Sequence, residues 1–477
     1  MEDEDIILAN GLDGDTGDYL LPPMSPSTIA SVAMGAKVDP ILEADLKWKK
    51  RSTEKHLGTV AGVDVKDLSA AGWAAVFPAN SDPAIREALK PLLDHRKAQA
   101  AAKNEILYRE CSGPEFGYLP GQNKTAFLKK NGAPGSGDVK PEQLPYYLLL
   151  VGSPTEIPFN VQYQLDVQYG VGRIHFDTLE EYARYAESVV AAETGKLARR
   201  ARGAAYFGVS NPGDKATELS SKTLTAPLAE YCRTDQPDWT VTSDIGDAAT
   251  RARLNALMGG TADAAPDFLF AACHGMGYSK DSERQRRYTG ALTCQDWPGT
   301  SYTGPVRDFF FAGEDLASDA RIAGMIAMFF ACYGAGSPQF DEFYQKNGMN
   351  SERRQIAPEP FLAELPKRML AHPKGGALAV IGHVDRAWDY SFRAGKTIVQ
   401  LGTFESVIKE ILEGFPVGAA LERFSRRYSE LASDTTTELN EVNDGKRPDE
   451  KLLSSLWCAS NDARNYVVVG DPAVRLA

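Results

Sequence analysis

The sequence predicts an α/β protein with a mostly parallel, doubly wound central sheet. Apolar runs of strand length recur along the chain, and they are continuous rather than alternating, which indicates strands that are buried on both faces. Helical patterns lie between these runs, and strands that alternate with helices are typical of a parallel sheet. The predicted strands are 72–77, 146–151, 171–174, 204–209, 239–242, 268–273, 325–332, 377–381 and 466–469. The predicted helices are 178–198, 217–232, 248–258, 360–371, 403–413 and 416–431.

We expect three regions along the chain. Residues 1–57 are predicted to form an acidic, extended N-terminal arm, because the first 18 residues carry seven acidic side chains and no basic one. Residues 58–140 are predicted to form an α/β portion that ends in a loop-rich seam, since 110–140 is rich in Gly, Pro and Asn. Residues 141–477 are predicted to form the principal domain.

Composition and charge exclude several function classes. The 477 residues carry a net charge of −12, which argues against nucleic acid or an anionic membrane as a partner. No apolar run approaches the roughly 20 residues that cross a bilayer, and the first residues lack the pattern of a secretory signal. The six cysteines show no Cys-x-x-Cys spacing. We therefore expect a cytoplasmic protein with reduced thiols.

Two predicted strand ends carry residues that are suited to nucleophilic catalysis. His274 and Gly275 follow the apolar run 268–273, and Cys332 ends the apolar run 325–332 and precedes two glycines. Ligands of such sheets bind beyond the carboxyl ends of the strands. A thiol and an imidazole on neighbouring strand ends can act as nucleophile and base. The backbone N–H groups of Gly275 and Cys332 could then hold the oxyanion of a tetrahedral intermediate.

Each motif alone also has a structural interpretation. A buried cysteine at a strand end is usually a small core residue. A zinc site at Cys273 and His274 is disfavoured, because adjacent strand residues point to opposite faces. Together and in this order, His274 and Cys332 are the strongest signal in the chain, and we predict no cofactor and no metal.

These two strand ends resemble those of the caspase-like cysteine peptidases, the group that includes gingipains, clostripain, separase, CHAT-domain proteases and caspases. Three further stretches look most like the gingipain-type branch: 147–158 (Tyr-Leu-Leu-Leu-Val-Gly-Ser-Pro-Thr-Glu-Ile-Pro), 171–174 (Val-Gly-Arg-Ile) and 376–388 (Gly-Ala-Leu-Ala-Val-Ile-Gly-His-Val-Asp-Arg-Ala-Trp). The resemblance implies a three-layer α/β/α sandwich and endopeptidase activity. It implies His274 as base, Cys332 as nucleophile, Gly275 as an oxyanion amide and Trp388 as a wall of the S1 pocket.

Four acidic residues lie in the loops that the resemblance places around that pocket: Asp214, Glu218, Asp385 and Asp389. A carboxylate at the base of the pocket would favour Arg or Lys at P1 through a charge-assisted bond. If the enzyme cuts after Arg, the basic loop positions Arg287 and Arg354 become candidate processing sites.

The resulting hypothesis is a cysteine endopeptidase that acts on proteins or peptides. An intracellular peptidase needs control, so we expect a zymogen that an upstream protease or a regulatory partner activates in a bacterial stress, death or defence pathway. The alternative is a catalytically silent caspase-like scaffold that binds proteins. A different thiol hydrolase or acyltransferase on the same fold is a third and lesser interpretation.

Overall fold

A ten-stranded sheet forms the centre of the computed structural model, which describes residues 6–35, 58–197, 202–261, 265–299, 301–302, 304, 306–341, 343, 354–394 and 398–476. The strands are β1 (Gly11–Asp13), β2 (Trp73–Val76), β3 (Tyr108–Cys111), β4 (Tyr147–Val151), β5 (Gly170–Ile174), β6 (Gly203–Gly208), β7 (Thr240–Ile245), β8 (Phe268–Ala272), β9 (Gly275–Gly277), β10 (Leu292–Thr293), β11 (Phe310–Phe311), β12 (Ile326–Phe330), β13 (Gly336–Ser337), β14 (Phe361–Leu362), β15 (Ala379–His383), β16 (Arg393–Ala394), β17 (Ile398–Val399) and β18 (Tyr466–Gly470).

Helices cover the sheet and connect its strands. They are α1 (Pro26–Gly35), α2 (Leu68–Ala71), α3 (Pro83–Ala88), α4 (Lys90–Ala100), α5 (Gly113–Phe116), α6 (Lys124–Lys130), α7 (Phe159–Asp166), α8 (Leu179–Glu193), α9 (Lys215–Ser220), α10 (Ala226–Asp235), α11 (Arg251–Leu257), α12 (Gln285–Tyr288), α13 (Glu364–Leu370), α14 (Gly402–Leu412), α15 (Val417–Ala420), α16 (Glu422–Asn443) and α17 (Glu450–Asn465). A π-helical turn, Ser221–Thr225, joins α9 to α10. None of the described helices has the length and apolarity that a membrane crossing requires.

The large sheet has the strand order β3-β2-β4-β5-β18-β15-β12-β8-β6-β7. All neighbouring strands in it run parallel except β15 and β18, which run antiparallel. The sheet therefore consists of two parallel halves whose carboxyl ends face opposite edges. The predicted fold class, a mostly parallel α/β/α arrangement, is confirmed.

The apolar composition of the central strands explains why they lie inside the sheet. The strands β4, β8, β12, β15 and β18 are buried along their whole length and are mostly aliphatic, aromatic or Ala. A strand with apolar side chains on both faces is stable only between two helical layers. The edge strand β7 (Thr-Val-Thr-Ser-Asp-Ile) is mostly polar and has no buried residue, as suits a sheet edge.

The predicted seam at 110–140 contains more regular structure than its Gly, Pro and Asn content suggests. It holds the short helices α5 and α6, and the Asn123 side chain caps α6 by accepting a hydrogen bond from the Ala126 N–H. Asn and Gly therefore mark helix ends here rather than a continuous loop. Residues 58–140 also add β2 and β3 to the large sheet.

Part of the predicted N-terminal arm lies folded on the rest of the chain. Residues 7–24, which we call the amino-terminal hairpin, double back so that Ile7 and Met24 exchange two backbone hydrogen bonds of 2.9 and 3.1 Å. The outgoing strand of the hairpin includes β1, which pairs in parallel with β9. The helix α1 follows, and its Ala30 and Ala33 pack on Leu439 and Leu453 of α16 and α17.

A buried ion network ties the end of β18 to the helices over the first half of the sheet. Arg96 of α4 donates to Asp471 at 2.7 Å and to both carboxylate oxygens of Glu193 at 2.7 Å. Asp471 also accepts from the Trp73 indole N–H at 2.9 Å, and its own N–H donates to the Tyr185 hydroxyl at 2.6 Å. Arg96 and Asp471 are almost completely buried.

Replacing Arg96 by Met should cost about 3–5 kcal/mol of unfolding free energy, because the change leaves two buried carboxylates without their cation. Urea unfolding measures the loss. Lys90→Met is the matched control, since Lys90 pairs with Asp94 on the exposed face of the same helix and should cost less than about 1 kcal/mol. Equal losses for the two variants would contradict this role of the network.

Candidate active site

The ends of β8 and β12 bring His274 and Cys332 to neighbouring positions. The two strands are in parallel register, with Ala272 opposite Phe330. His274 and Cys332 each lie two residues beyond this last pair. Neighbouring strands are about 4.8 Å apart, so the two residues leave the same edge of the sheet side by side.

A tight turn directly follows Cys332. Tyr333 has a φ of 59°, and among the described residues it is the one non-glycine residue with positive φ. Its N–H donates to the Asp385 carbonyl at 2.8 Å, and its carbonyl accepts from the Gly336 N–H at 3.0 Å. The left-handed conformation costs roughly 1–2 kcal/mol for a residue with a Cβ. The surrounding bonds hold the turn in place and thereby set the direction of the Cys332 side chain.

The Cys332 thiol is enclosed in this structure. Its side chain is fully buried, and the sulfur accepts a hydrogen bond from the Ala387 N–H at 3.3 Å. Burial raises the pKa of the Cys332 thiol to about 12, although the Ala387 N–H acts in the opposite direction. With the hairpin in place, Cys332 is therefore a neutral thiol at pH 7.

Asp214 holds the imidazole of His274. The Nε2 atom of His274 lies 2.5 Å from Oδ2 of Asp214, and both side chains are fully buried. The same carboxylate accepts from the Tyr19 hydroxyl at 2.6 Å and from the Thr217 hydroxyl at 2.6 Å. Burial alone would raise the pKa of Asp214, but His274 and the two hydroxyl donors outweigh it and hold that pKa well below its usual range.

The other ring nitrogen of His274 is available for chemistry. Because Nε2 faces a carboxylate, it carries the proton of the neutral ring, which leaves a lone pair on Nδ1. Nδ1 has no hydrogen-bond partner within the described part of the chain. The rings of Tyr19 and Trp297 flank the imidazole at centroid distances of 5.7 and 5.9 Å. This arrangement orients the imidazole and leaves Nδ1 without a partner among the described residues.

Two backbone N–H groups converge beside the thiol. The amides of Gly275 and Cys332 both donate to the carbonyl oxygen of Asn10, each at 3.1 Å. These are the two amides that the sequence predicts for an oxyanion. The structure thus brings them together on one oxygen, and that oxygen belongs to the amino-terminal hairpin.

Gly275 leaves no room for a side chain. A Cβ at this position would lie 1.8 Å from the Cys332 carbonyl oxygen and 2.9 Å from its nitrogen. The backbone of one strand end therefore touches the backbone of the other, and only glycine permits that approach.

The structure places Asp214, which was predicted to line the substrate pocket, on His274 instead. The physical reason is that Asp214 caps α9 in the connection that follows β6, and β6 is the neighbour of β8 in the sheet. No local sequence pattern indicates this contact, because it depends on the order of the strands in the sheet. Glu218 lies one turn further on, has a side chain that is 43% exposed, and approaches Lys222 at 3.8 Å.

The two other predicted pocket carboxylates already have cationic partners. Asp385 is buried and accepts from the Arg386 backbone N–H at 2.9 Å and from its guanidinium at 3.2 Å. Asp389 is buried, pairs with Arg393 and accepts from the Leu8 N–H at 3.4 Å. Burial raises the pKa of Asp389 to about 6 despite Arg393. Neither carboxylate stands open to a basic side chain of a substrate.

Trp388 contacts the amino-terminal hairpin through its backbone, and its ring is not exposed. Its side chain is fully buried against Phe343, with ring centroids 4.4 Å apart. Its N–H donates to Asp462 at 2.8 Å, and its backbone forms an antiparallel bridge with Ala9.

The candidate processing residues lie outside this cluster. Arg287 is in the short helix α12 and pairs with Glu314. Arg354 is exposed and begins the described segment 354–394. Arg353, the preceding residue, lies outside the described residues. Within the described residues, no group of three or more His, Cys, Asp or Glu side chains is placed to hold a metal ion.

Gly275→Ala should destabilise the junction of the two strand ends, because the added methyl group has to displace the Cys332 backbone. We expect a loss of about 1–3 kcal/mol of unfolding free energy, as for overpacking in a core. Gly402→Ala is the control, since a Cβ at Gly402 meets nothing within 4 Å. Urea unfolding of both variants tests the contact, and equal stabilities would contradict it.

The lowered pKa of Asp214 makes its contribution to stability depend on pH. The carboxylate binds protons less readily in the folded chain, so its contribution is complete above the ordinary Asp pKa of about 3.9 and is lost as pH falls below that value. Asp214→Asn should therefore destabilise the chain by about 1–3 kcal/mol at pH 7, and the difference should shrink below pH 4. Unfolding free energies at a series of pH values measure this, and a difference that grows in acid would overturn it.

Comparison with known proteins finds similarity in fold alone. No family model and no curated protein matches the chain. A solved protease structure shares 13% identity at a TM-score of 0.49, over 86% of this chain and 80% of that chain. The Arg-specific cysteine proteinase gingipain R shares 12% identity at 0.44, over 86% and 78%. A complex of Porphyromonas gingivalis RgpB pro- and mature domains shares 13% at 0.41, over 85% and 79%. The function proposed below is supported by the geometry of the site and not by these similarities.

Proposed function

We propose that the protein is a cysteine endopeptidase with Cys332 as nucleophile and His274 as base. The observation that carries the proposal is the pair of N–H groups, of Gly275 and Cys332, that hold one peptide carbonyl oxygen next to a cysteine thiol. On the adjacent strand end, a carboxylate holds one ring nitrogen of an imidazole, and the other nitrogen has no partner within the described part of the chain. A nucleophile, a base and an oxyanion site together are the elements of acyl transfer.

The proposed reaction has two halves, formation of a thioester and its hydrolysis, and both use the thiol, the imidazole and the two N–H groups. Nδ1 of His274 takes the thiol proton, and the sulfur of Cys332 attacks the carbonyl carbon of the substrate. The N–H groups of Gly275 and Cys332 stabilise the negative oxygen, and one such donor is worth roughly 10²–10³ in rate. His274 then protonates the leaving amine, the C–N bond breaks, and a thioester remains. Water, deprotonated by His274, hydrolyses the thioester and regenerates the thiol.

Asp214 acts as a positioning residue in this scheme. Its bond to Nε2 selects the tautomer that leaves Nδ1 unprotonated, and its charge stabilises the imidazolium that forms during the reaction. In a Ser-His-Asp peptidase the change of the carboxylate to an amide lowers kcat by about 10⁴. Asp214→Asn should accordingly lower kcat more than it changes KM.

The described carboxylates do not favour a basic S1 pocket. Asp214 is engaged with His274, and Asp385 and Asp389 with arginines, so an Arg or Lys at P1 would have to displace an existing cation. Glu218 alone of the four is substantially exposed, and the geometry gives it no contact with the thiol. We therefore propose the peptidase without the Arg or Lys preference that the sequence suggested.

Control of the enzyme is part of the proposal. The thiol is buried and its pKa is raised, so the described state requires an opening step before a substrate can bind. Proteolysis at Arg287 or Arg354 by an upstream protease, or a regulatory partner, would supply such a step in a bacterial stress, death or defence pathway. Proteins or peptides are the proposed substrates.

The test is cleavage of a fluorogenic peptide panel that varies P1, with the chain intact and after limited trypsin treatment. Cys332→Ala and His274→Ala should lower the rate at least about a thousandfold, since removal of nucleophile or base disables the whole mechanism. Cys111→Ala and His372→Ala are matched controls that change a buried cysteine and a histidine elsewhere, and they should leave the rate unchanged.

A thiol-reactive probe completes the experiment. Labelling of Cys332 together with dyad-dependent cleavage supports the peptidase. Cleavage that survives Cys332→Ala would overturn the assignment. If no form cleaves any peptide and the probe leaves Cys332 unmodified, the silent scaffold replaces the enzyme as the interpretation.

A further inference from the structure

The outgoing strand of the amino-terminal hairpin occupies the cleft as an extended peptide. Ala9 forms an antiparallel bridge with Trp388, and the Asp389 N–H donates to the Leu8 carbonyl at 3.2 Å. The Asn10 N–H donates to the Ala387 carbonyl at 3.0 Å. The backbone before Asn10 is therefore bound by β-pairing along 387–389, which is a general way for a groove to hold a peptide of any sequence.

The other side of Asn10 is bound by β-pairing as well. From Gly11 to Asp13 the chain pairs in parallel with β9, with Gly11 opposite Gly275 and Asp13 opposite Gly277. The strand therefore pairs with residues 387–389 up to Asn10 and with β9 from Gly11 onwards. This is the point at which the peptide passes His274 and Cys332.

The carbonyl of Asn10 lies where the carbonyl of a scissile bond belongs. Its oxygen accepts the N–H groups of Gly275 and Cys332, which are the proposed oxyanion donors. The position of a Cβ on Gly11 would be 3.1 Å from the sulfur of Cys332, so the sulfur lies directly beside the Asn10–Gly11 peptide. The position of the thiol beside this peptide, together with two amides on its oxygen, supports attack of the sulfur on the Asn10 carbonyl carbon.

Gly11 brings the chain close to the thiol. A Cβ would lie 2.9 Å from Leu20 and 3.1–3.2 Å from the side chain of Cys332. A methyl group there would require small shifts of these two side chains, and a larger side chain would push the peptide away from the thiol. A glycine on the leaving side thus keeps the peptide in contact with the nucleophile.

Asn10 itself is held at a cost in free energy. Its side chain is 1% exposed, and its Nδ2 atom finds no hydrogen-bond acceptor within the described part of the chain. An unpaired buried amide costs about 1–3 kcal/mol, so packing alone would be better served by an apolar residue. If the Asn10–Gly11 bond is taken as the scissile bond, Asn10 is the P1 residue.

We propose that the Asn10–Gly11 bond is a self-processing site, which Cys332 cleaves within its own chain, and that the S1 position accepts asparagine. This inference rests on the proposed peptidase function and adds to it a cleavage site, a P1 residue and an opening step. It differs from processing at Arg287 or Arg354, which would cut the chain after a basic residue.

The reaction balances without any co-reactant except water. The thiol proton moves to Nδ1 of His274, and the sulfur forms a thioester with the carbonyl carbon of Asn10. The C–N bond breaks, and His274 gives its proton to the new amino group of Gly11. Water then hydrolyses the thioester, which leaves a carboxylate on Asn10 and restores the thiol. Residues 1–10 become a separate peptide, and its release exposes the cleft.

Intact-mass measurement and amino-terminal mapping of the full chain test the site. The wild-type chain should lose residues 1–10 and acquire a free amino group on Gly11, with a first-order rate that does not depend on protein concentration. Cys332→Ala should keep its original amino terminus. A wild-type chain that stays intact at this bond, or that is cut only after Arg287 or Arg354, overturns the proposal. Cleavage that persists in Cys332→Ala overturns it as well.

A variant in which the hairpin is displaced tests self-processing separately from the peptidase function. Gly11→Val should expel the strand, abolish self-cleavage and increase labelling of Cys332 by a thiol probe. Gly402→Val is the matched control, because a Cβ there meets nothing within 4 Å. The added substrate is a synthetic peptide with the sequence of residues 6–13, alongside the same peptide with Arg in place of Asn.

The outcomes then distinguish the two claims. Gly11→Val protein should cut the Asn peptide before glycine and faster than the Arg peptide, and Cys332→Ala in the same background should remove this activity. If the Arg peptide is cut faster, or if peptides are cut while the wild-type chain never processes itself, this inference fails and the peptidase function stands. If Gly11→Val is labelled by the probe but cleaves nothing, both fail. Should Gly11→Val not fold, the comparison of wild type with Cys332→Ala still decides the self-processing site.

Discussion

The contact between the backbones of Gly275 and Cys332 is the constraint on which the site depends. Two parallel strands end in register, and the chain beyond each end turns so closely past the other that no side chain fits at Gly275. That approach aims two N–H groups at one point beside the thiol. If the strand ends were further apart, the same residues would be present, but the two N–H groups would no longer point at one oxygen. Catalysis of this kind depends on placement within a fraction of an ångström.

The hairpin and the site share one hydrogen-bond network. The Asn10 carbonyl accepts the two amides, and the Tyr19 hydroxyl on the returning strand donates to the carboxylate that orients His274. The hairpin therefore does more than cover the cleft. It also supplies hydrogen-bond partners to the two amides and to Asp214, which offsets part of the desolvation cost of enclosing these polar groups.

The sequence was most informative where local pattern and burial coincide. Continuous apolar runs located the inner strands of the sheet, and the polar residues that follow two of them located His274 and Cys332. The helix α17 was not predicted, because its residues 450–465 mix polar and apolar side chains against α1 and α16. The contact of Asp214 with His274 could not be predicted, because the order of the strands in the sheet decides which loops meet, and the sequence does not reveal that order. The path of residues 7–13 could not be predicted either, since their partners outside the hairpin lie more than 260 positions away and no local propensity selects them.

The antiparallel junction of β15 with β18 has a consequence for the order in which the molecule can form. β18 is made after every other described strand, yet it lies in the middle of the sheet between β5 and β15. A growing chain can pair the strands of each parallel half separately, but among the described strands no pairing joins the halves until β18 has been synthesised and inserted. Pairing between strands that are far apart in sequence is slow. On the ribosome, the half of the sheet that carries His274 and Cys332 thus has no strand pairing with the other half until β18 emerges.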